Sequence, residues 1–477
     1  MTSPWTLVLP ADLMERLHQH LFPGDGDEHG AVIAAGMVET IRGTRLLARD
    51  LVLARDGEDY VPGKRGYRML TASFVTENIM KCASGRLVYL AIHCHGGSDQ
   101  VGFSHDDFAS HERGYPALLD IADGITVGAL VFAANAIAGD IWLPGGQQIV
   151  LQGARVVGRP QRDLYPSPLP RSTSDSTYDR QARIFGDRGQ DILRKQKVGV
   201  IGAGGAGSLI VEYLARLGVG HILLADSERI ELSNLPRVVG STRWDVLSLL
   251  TADGRPRSLQ RLGERLSRWK TSVASRVARK ANQHVVFEQI RDDIVSDAVA
   301  QRFADCDFIF LAADSQRSRL VFNALVHQYL IPGAQVGAKV RVNKATGEVG
   351  DVHSVYRPVL PDSGCLWCNG LISPARLQEE AISETERRQQ RYVEEDTVRA
   401  PSVISLNAVA CAHAVDDYLF SVTGLLESGT PNDYRRFLPR EANFMLDAPR
   451  RDPGCTECGR GHKSRFAMGS GRRLPTR

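Results

Sequence analysis

Residues 197–207 read Lys-Val-Gly-Val-Ile-Gly-Ala-Gly-Gly-Ala-Gly, a strand running into a glycine-rich turn. KVGVIG has the composition of a short buried strand. The glycines then open a helical run, GSLIVEYLARLG. Glycine at 202, 204, 205 and 207 lets the backbone approach a phosphate closely, and the helix N-terminus supplies amides and a partial positive charge. Further short apolar runs (HILLAD, HVVFEQI, DFIFLAAD) alternate with helical stretches, the pattern of a parallel, Rossmann-like α/β sheet. Asp226 closes HILLAD, where a carboxylate accepts ribose hydroxyls. To this point a nicotinamide dinucleotide fits equally well.

The charged residues separate the two possibilities. Arg180-Gln181 precedes the first strand, Ser-Asn-Leu-Pro-Arg ends at Arg237, Lys270 opens the helix KTSVASRVARKAN, and Asp314 follows the strand DFIFLAA. Any one of them alone reads as a solvated surface charge. Activating a carboxylate at the α-phosphate of ATP requires cations against the developing charge and a carboxylate for Mg²⁺. A dehydrogenase requires neither.

Outward from this core, residues 159–177 (RPQRDLYPSPLPRSTSDST) are rich in Pro, Ser and Arg without apolar periodicity, which marks a linker. It separates a first domain over 1–158, with strand-like runs and one or two helices, from a second over 178–460. Residues 240–269 read as irregular and 376–396 as polar, helical or mobile. The residues from 461 to 477 read as a disordered basic tail, with five Lys/Arg from His462 onward. A net charge of +3 and 24% charged residues give no reason to expect a nucleic-acid partner. No leader pattern or membrane-length apolar run is present, so the expectation is a cytoplasmic enzyme without a membrane partner.

In the first domain, LVYLAIHCH is strand-like, and strand residues two apart share a face. His93 and His95 can thus bind one metal while Cys94 points away. Asp107 adds an oxygen ligand and leaves the fourth position to water, the pattern of a catalytic zinc. Glu28 is the candidate proton shuttle. Ser104 with Asp107 is equally a helix-capping pattern, and His-x-His on a strand also arises by chance. In the second domain, Cys365 and Cys368 pair with Cys455 and Cys458. Two glycine-flanked Cys-x-x-Cys turns predict a closed structural zinc site rather than disulfides. Cys82, Cys306 and Cys411 read as core.

The residues around His93 resemble the JAMM/MPN metalloprotease family, with an upstream Glu, His-x-His and Ser-x-x-Asp. The resemblance implies an α/β domain with Glu28 as acid/base, zinc on His93, His95 and Asp107, and Ser104 supporting the oxyanion. Two departures are an eight-residue gap, Gly96 to Phe103, and Gly96 in place of a frequent proline. Residues 178–460 resemble the ThiF/MoeB family of ubiquitin-activating-enzyme-like adenylyltransferases. That resemblance implies ATP contacts from Asp226 and Asn234, and phosphate contacts from Arg237 and Lys270. It also implies Mg²⁺ on Asp314, Arg319 and Asn323 at family positions, the four-cysteine zinc knuckle, and Arg180 as an arginine finger reaching into the partner of a homodimer. Here the departures are Glu228 for the family's second acidic residue and a long stretch between Asn234 and Lys270.

Together the two resemblances imply a bifunctional enzyme using ATP, Mg²⁺, one catalytic zinc and one structural zinc. It would adenylate the C-terminus of a ubiquitin-like protein and cleave its precursor or conjugates, in a bacterial-type pathway with a conjugating-enzyme-like partner. The alternatives are activation of a sulfur-carrier protein for cofactor or cysteine biosynthesis, and a binding scaffold with an inactive peptidase half.

Overall fold

The computed structural model describes residues 3–62, 68–122, 124–170, 172–173, 175–343, 346–382 and 401–477. The chain forms two compact units.

The first unit comprises Met1–Arg171, His327–Leu330 and Pro453–Arg473. Its elements are β1 (Trp5–Pro10), α1 (Ala11–Leu21), β2 (Gly30–Thr40), β3 (Gly43–Leu53), α2 (Ala72–Gly85), β4 (Val88–Cys94), α3 (His105–Ile121), β5 (Val127–Phe132), β6 (Ile137–Trp142), β7 (Gln148–Val157) and β8 (Arg162–Leu164). The sheet runs β1-β3-β2-β4-β5-β6-β7-β8, and β1 also pairs with β7. Closure on itself removes exposed edges. Strand alternation puts Leu90 and Ile92 of β4 in one core, against Leu13, Leu17 and Leu21 of α1. Tyr89 joins the other core, with Phe74 and Ile79 of α2. His93 therefore faces the α2 and α3 side of the sheet. Arg162–Leu164, within the stretch read as linker, forms β8 along β7.

The residues expected to be a disordered tail are ordered. Phe466 and Ala467 are fully buried. Arg465 turns inward to Glu457 and to Gln328 Oε1 at 2.6 Å, and Arg49 reaches the carbonyl oxygens of Gly461 (2.8 Å) and Phe466. Gly36 admits the segment, because a Cβ there would lie 2.0 Å from the Ala467 carbonyl oxygen. The basic composition misleads because one of its charges, Arg465, finds buried partners while the others stay at the surface. Burying one Phe side chain is worth about 1.5–3 kcal/mol.

The second unit comprises Ser172–Val326, Ile331–Asp452 and Leu474–Arg477. In order it contains α4 (Asp179–Lys195), β9 (Lys197–Ile201), α5 (Gly205–Arg216), β10 (His221–Ala225), α6 (Ser248–Thr251), α7 (Arg257–Leu266), α8 (Lys270–Ala281), β11 (Val286–Ile290), α9 (Asp297–Phe303), β12 (Phe308–Leu311), α10 (Gln316–Tyr329), β13 (Gly333–Val342), β14 (Val349–Val359), α11 (Pro374–Ala381), α12 (Ile404–Val422), β15 (Tyr434–Leu438) and β16 (Asn443–Asp447). The sheet order is β11-β10-β9-β12-β13-β14-β15-β16. The five strands β11, β10, β9, β12 and β13 are parallel, and β14 to β16 extend them antiparallel. β10 and β12 flank β9 on opposite sides, so the strand order reverses there, which is where doubly wound sheets bind ligands. α5 and α12 cover one face, with Ile210 and Leu214 packed among Val198, Val200, Phe308, Phe310 and Tyr418. Two helices, α6 and α7, occupy part of the 240–269 stretch that reads as irregular. Leu259, Leu262 and Leu266 of α7 share one helical face that the mixed charge of the stretch conceals. Of the polar stretch 376–396, residues 376–381 lie in α11, and 383–396 fall outside the described residues. Among the described residues, no helix is long and apolar enough to cross a membrane.

Candidate functional site

The C-terminal ends of β9, β10 and β12 open into a cavity of about 1260 Å³ in the second unit. Gly202, Gly204, Gly205, Asp226, Asn234, Arg237, Lys270, Asp314 and Arg319 all line it. These residues are widely separated in sequence and converge because each follows or flanks a strand end. Gly202 turns the chain at φ +96°, a conformation that favours glycine. A Cβ on Gly207 would lie 1.8 Å from the Gly202 carbonyl oxygen, so this glycine packs helix on turn rather than lining the cavity.

The acidic residue after β10 holds that turn. Ala203 N–H donates to Asp226 Oδ2 at 2.7 Å and Glu228 N–H to Oδ1 at 2.8 Å. Burial raises the Asp226 carboxyl above its usual range, opposed by the Ala203 amide and the charge of Lys270. Lys270, buried at the first position of α8, pairs with Glu228. Asn234 is also buried, and its Oδ1 accepts from Glu231 N–H at 3.1 Å, which closes the short 3-10 turn over Leu232–Asn234. Asp314 is exposed at the mouth. Arg319 donates to the Leu371 carbonyl oxygen at 3.0 Å, and burial lowers its guanidinium pKa, with Asp314 opposing. Asn323 lies outside the lining: fully buried, it accepts from Leu366 N–H at 2.9 Å. Arg180 sits exposed on the first turn of α4, also outside the cavity lining.

A second constellation lies in the first unit. His93 Nε2 and His95 Nε2 are 3.2 Å apart, and Asp107 oxygens stand 3.3 Å from each. A tetrahedral zinc with ligands at ~2.0–2.1 Å requires donor separations of about 3.3 Å, so this donor set fits the ion. His95 Nδ1 lies 3.1 Å from the Gly102 carbonyl oxygen, a bond that directs Nε2 toward the shared point. Glu28 Oε1 is 3.9 Å from His95 Nε2. Burial raises the Glu28 carboxyl, while His93 and His95 oppose it. Burial also disfavours the charged Asp107, yet hydrogen bonds from His93 and Ser104 hold it well below the carboxylate range. Ser104 N-caps α3 in a capping box, with its Oγ donating to Asp107 Oδ2 at 2.7 Å. The helix-capping reading and the ligand reading thus meet at Asp107.

In the second unit the sulfurs of Cys365 and Cys368 lie 3.5 Å apart, close enough for two thiolates to share one zinc. Cys455 and Cys458, in the first unit, are both buried. Cys82 is buried with its thiol pushed up to about 12. Cys411 is fully buried, its thiol pushed up by burial and directed at the Ala206 carbonyl oxygen at 3.3 Å.

A family model described as the ThiF family matches residues 178–444. The chain belongs to the ThiF family. Among curated relatives, this ThiF-family chain is similar to the sulfur carrier protein ThiS adenylyltransferase of Bacillus subtilis (strain 168). The two are 30% identical over 209 residues, covering 42% of this chain and 56% of that protein. It is 28% identical over 191 residues to the sulfur carrier protein adenylyltransferase of Thermus thermophilus, covering 39% and 63%. The match thus spans less than two thirds of either relative. Among solved structures, E. coli MccB with ATP aligns at a TM-score of 0.43 and 22% identity, covering 60% of this chain and 75% of that one.

Sequence reading missed the part of the ThiF-family cavity built by the antiparallel extension. Gln335, His353, Arg357, Tyr434 and Arg436 line it, as does Asn407 at the start of α12. No local motif marks them, because only strand pairing across β13, β14 and β15 gathers them.

Proposed function

We propose that the chain adenylates the C-terminal carboxylate of a ubiquitin-like or sulfur-carrier protein at the expense of ATP. The observation that carries this reading is one cavity shared by the glycine turn, Asp226, Arg237, Lys270 and Asp314. The amides after Gly204 face the phosphates at the α5 N-terminus, and Asp226 accepts from the ribose. One oxygen of the substrate carboxylate attacks the α-phosphorus. The bond from that phosphorus to the oxygen bridging to the β-phosphate breaks, and pyrophosphate leaves with the electron pair. Arg237 and Lys270 stabilise charge as it grows on the phosphate oxygens. Bound Mg²⁺, which Asp314 would hold, supplies further positive charge against the triphosphate. Arg180 would act as an arginine finger in a homodimer. Cys365 and Cys368 would supply two thiolates to a structural zinc with no part in the chemistry. With Cys411 buried, the acyl-adenylate passes to a thiol or persulfide on another protein, a conjugating-enzyme-like protein or a sulfur donor. The test is ATP–pyrophosphate exchange with a ThiS-type sulfur carrier and with a ubiquitin-like protein ending in glycine. Exchange dependent on either supports the reading, and its absence with both rejects it.

The His93, His95 and Asp107 separations favour a second, additional reading: a JAMM/MPN-like zinc hydrolase that trims or releases the same carrier. Bound zinc supplies Lewis acidity toward a water and the scissile carbonyl. Glu28 would take a proton from a water near His95 and deliver it to the leaving amine. Cleavage of a carrier extended beyond its terminal glycine tests this activity.

A further inference from the structure

The side of the cavity built by the antiparallel strands carries a cation that the adenylation reading does not use. Arg357 stands on β14 directly opposite Gln335 of β13 and donates to Gln335 Oε1 at 2.5 Å. Its guanidinium lies 5.7 Å from the Tyr434 ring. Among the described residues, no carboxylate is hydrogen-bonded to it. The two acidic side chains on this side make their hydrogen bonds elsewhere: Asp447, which attracts Arg357 through space, accepts from Arg436 at 2.9 and 3.3 Å, and Asp351 lies 3.1 Å from His353 Nδ1. Burial lowers the guanidinium pKa to about 10, which leaves it charged near neutral pH. A desolvated cation of this kind gains most from an anionic partner.

That anion is not the triphosphate held at the glycine turn. β12 and β13 lie between β9 and β14, so three strand spacings, ~14 Å, separate the turn from the Arg357 backbone. An extended chain advances ~3.3–3.6 Å per residue. A substrate tail whose terminal carboxylate meets the α-phosphate therefore crosses to β14 within about four residues, and the reach of the Arg357 side chain back across the cavity shortens that span.

Resting on the adenylation reading, we infer that Arg357 forms a subsite for an acidic side chain, and that the enzyme prefers acyl substrates with Asp or Glu within about four residues of the C-terminus. The subsite is a specificity element added to the strand-built side of the cavity.

The test uses full-length protein with a non-hydrolysable ATP analogue and fluorescein-labelled peptides ending in glycine, in sets that differ only in Asp, Gln or Lys at the second, third or fourth position from the end. Anisotropy reads their affinities, and the Gln peptide retains the terminal carboxylate as the control for that source of charge. In one set the Asp peptide is expected to bind about tenfold or more tighter than the Gln peptide, the scale of one charge-assisted hydrogen bond. The Lys peptide should bind weakest. Arg357→Gln should bring the Asp and Gln affinities together, whereas Arg357→Lys should keep part of the preference. Rising salt should narrow the preference in the wild-type chain, a readout that needs no variant. Equal affinities in the wild type within every set, or no binding of any Asp peptide, overturns the subsite. Carrier-dependent exchange is measured separately, so failure of the adenylation reading is not confused with failure of this one.

Discussion

Ala203 N–H donates to Asp226 Oδ2 at 2.7 Å, tying the glycine turn after β9 to the acidic residue that ends β10. The same carboxylate accepts from Glu228 N–H, so one side chain orders two loops of the nucleotide side.

Asp226→Ala removes both bonds and the proposed ribose acceptor. Hydrogen bonds to a charged group contribute about 1.5–3 kcal/mol each. ATP affinity, measured by titration calorimetry, is expected to fall by at least tenfold. An affinity within twofold of wild type would show that the turn needs no carboxylate.

Asp314 is exposed, and its replacement should leave stability nearly unchanged. Asp314→Ala is nevertheless expected to slow carrier-dependent pyrophosphate exchange by ~10²–10³, as removal of a charge-stabilising group does. The pair of measurements is an exchange assay and a thermal melt. A loss below about fivefold, well under that range, would move the Mg²⁺ role elsewhere.

Ser104 and Asp107 can be separated by substitution. Ser104→Ala removes an N-cap and should cost ~1 kcal/mol while zinc content stays the same. His93→Ala or Asp107→Ala should lower the zinc bound per chain by one, measured by elemental analysis, and abolish cleavage of an extended carrier while exchange persists. Unchanged zinc content in both variants would leave the capping role as the whole explanation of this cluster.

Phe466→Ala should destabilise the protein by about 3–5 kcal/mol, the range for a large buried aromatic. Lys463→Ala, an exposed change three residues away, should stay within ~0.5 kcal/mol. Denaturant unfolding compares the two. Equal, small effects would return the segment to the solvated tail that its composition suggests.

Much of the cavity at the strand ends was legible from sequence, because strand, glycine turn and helix are local devices whose meaning lies in spacing. Gly202, Gly204, Gly205, Asp226 and Asp314 each sit at or just beyond a strand end, and a parallel sheet brings successive strand ends to one edge. His93 and His95 were legible for a similar reason, since residues two apart on a strand share a face. Tertiary structure alone decided the rest. Gln335 and Arg357 meet only because β13 and β14 pair in a particular register, a choice made by packing rather than by any short motif. Arg465 and Phe466 are core residues only because Gly36 leaves room beside β2, Glu457 neutralises the buried guanidinium and Gln328 accepts a hydrogen bond from it. Composition counts charges without knowing which of them will find partners out of water, and burial depends on those partners.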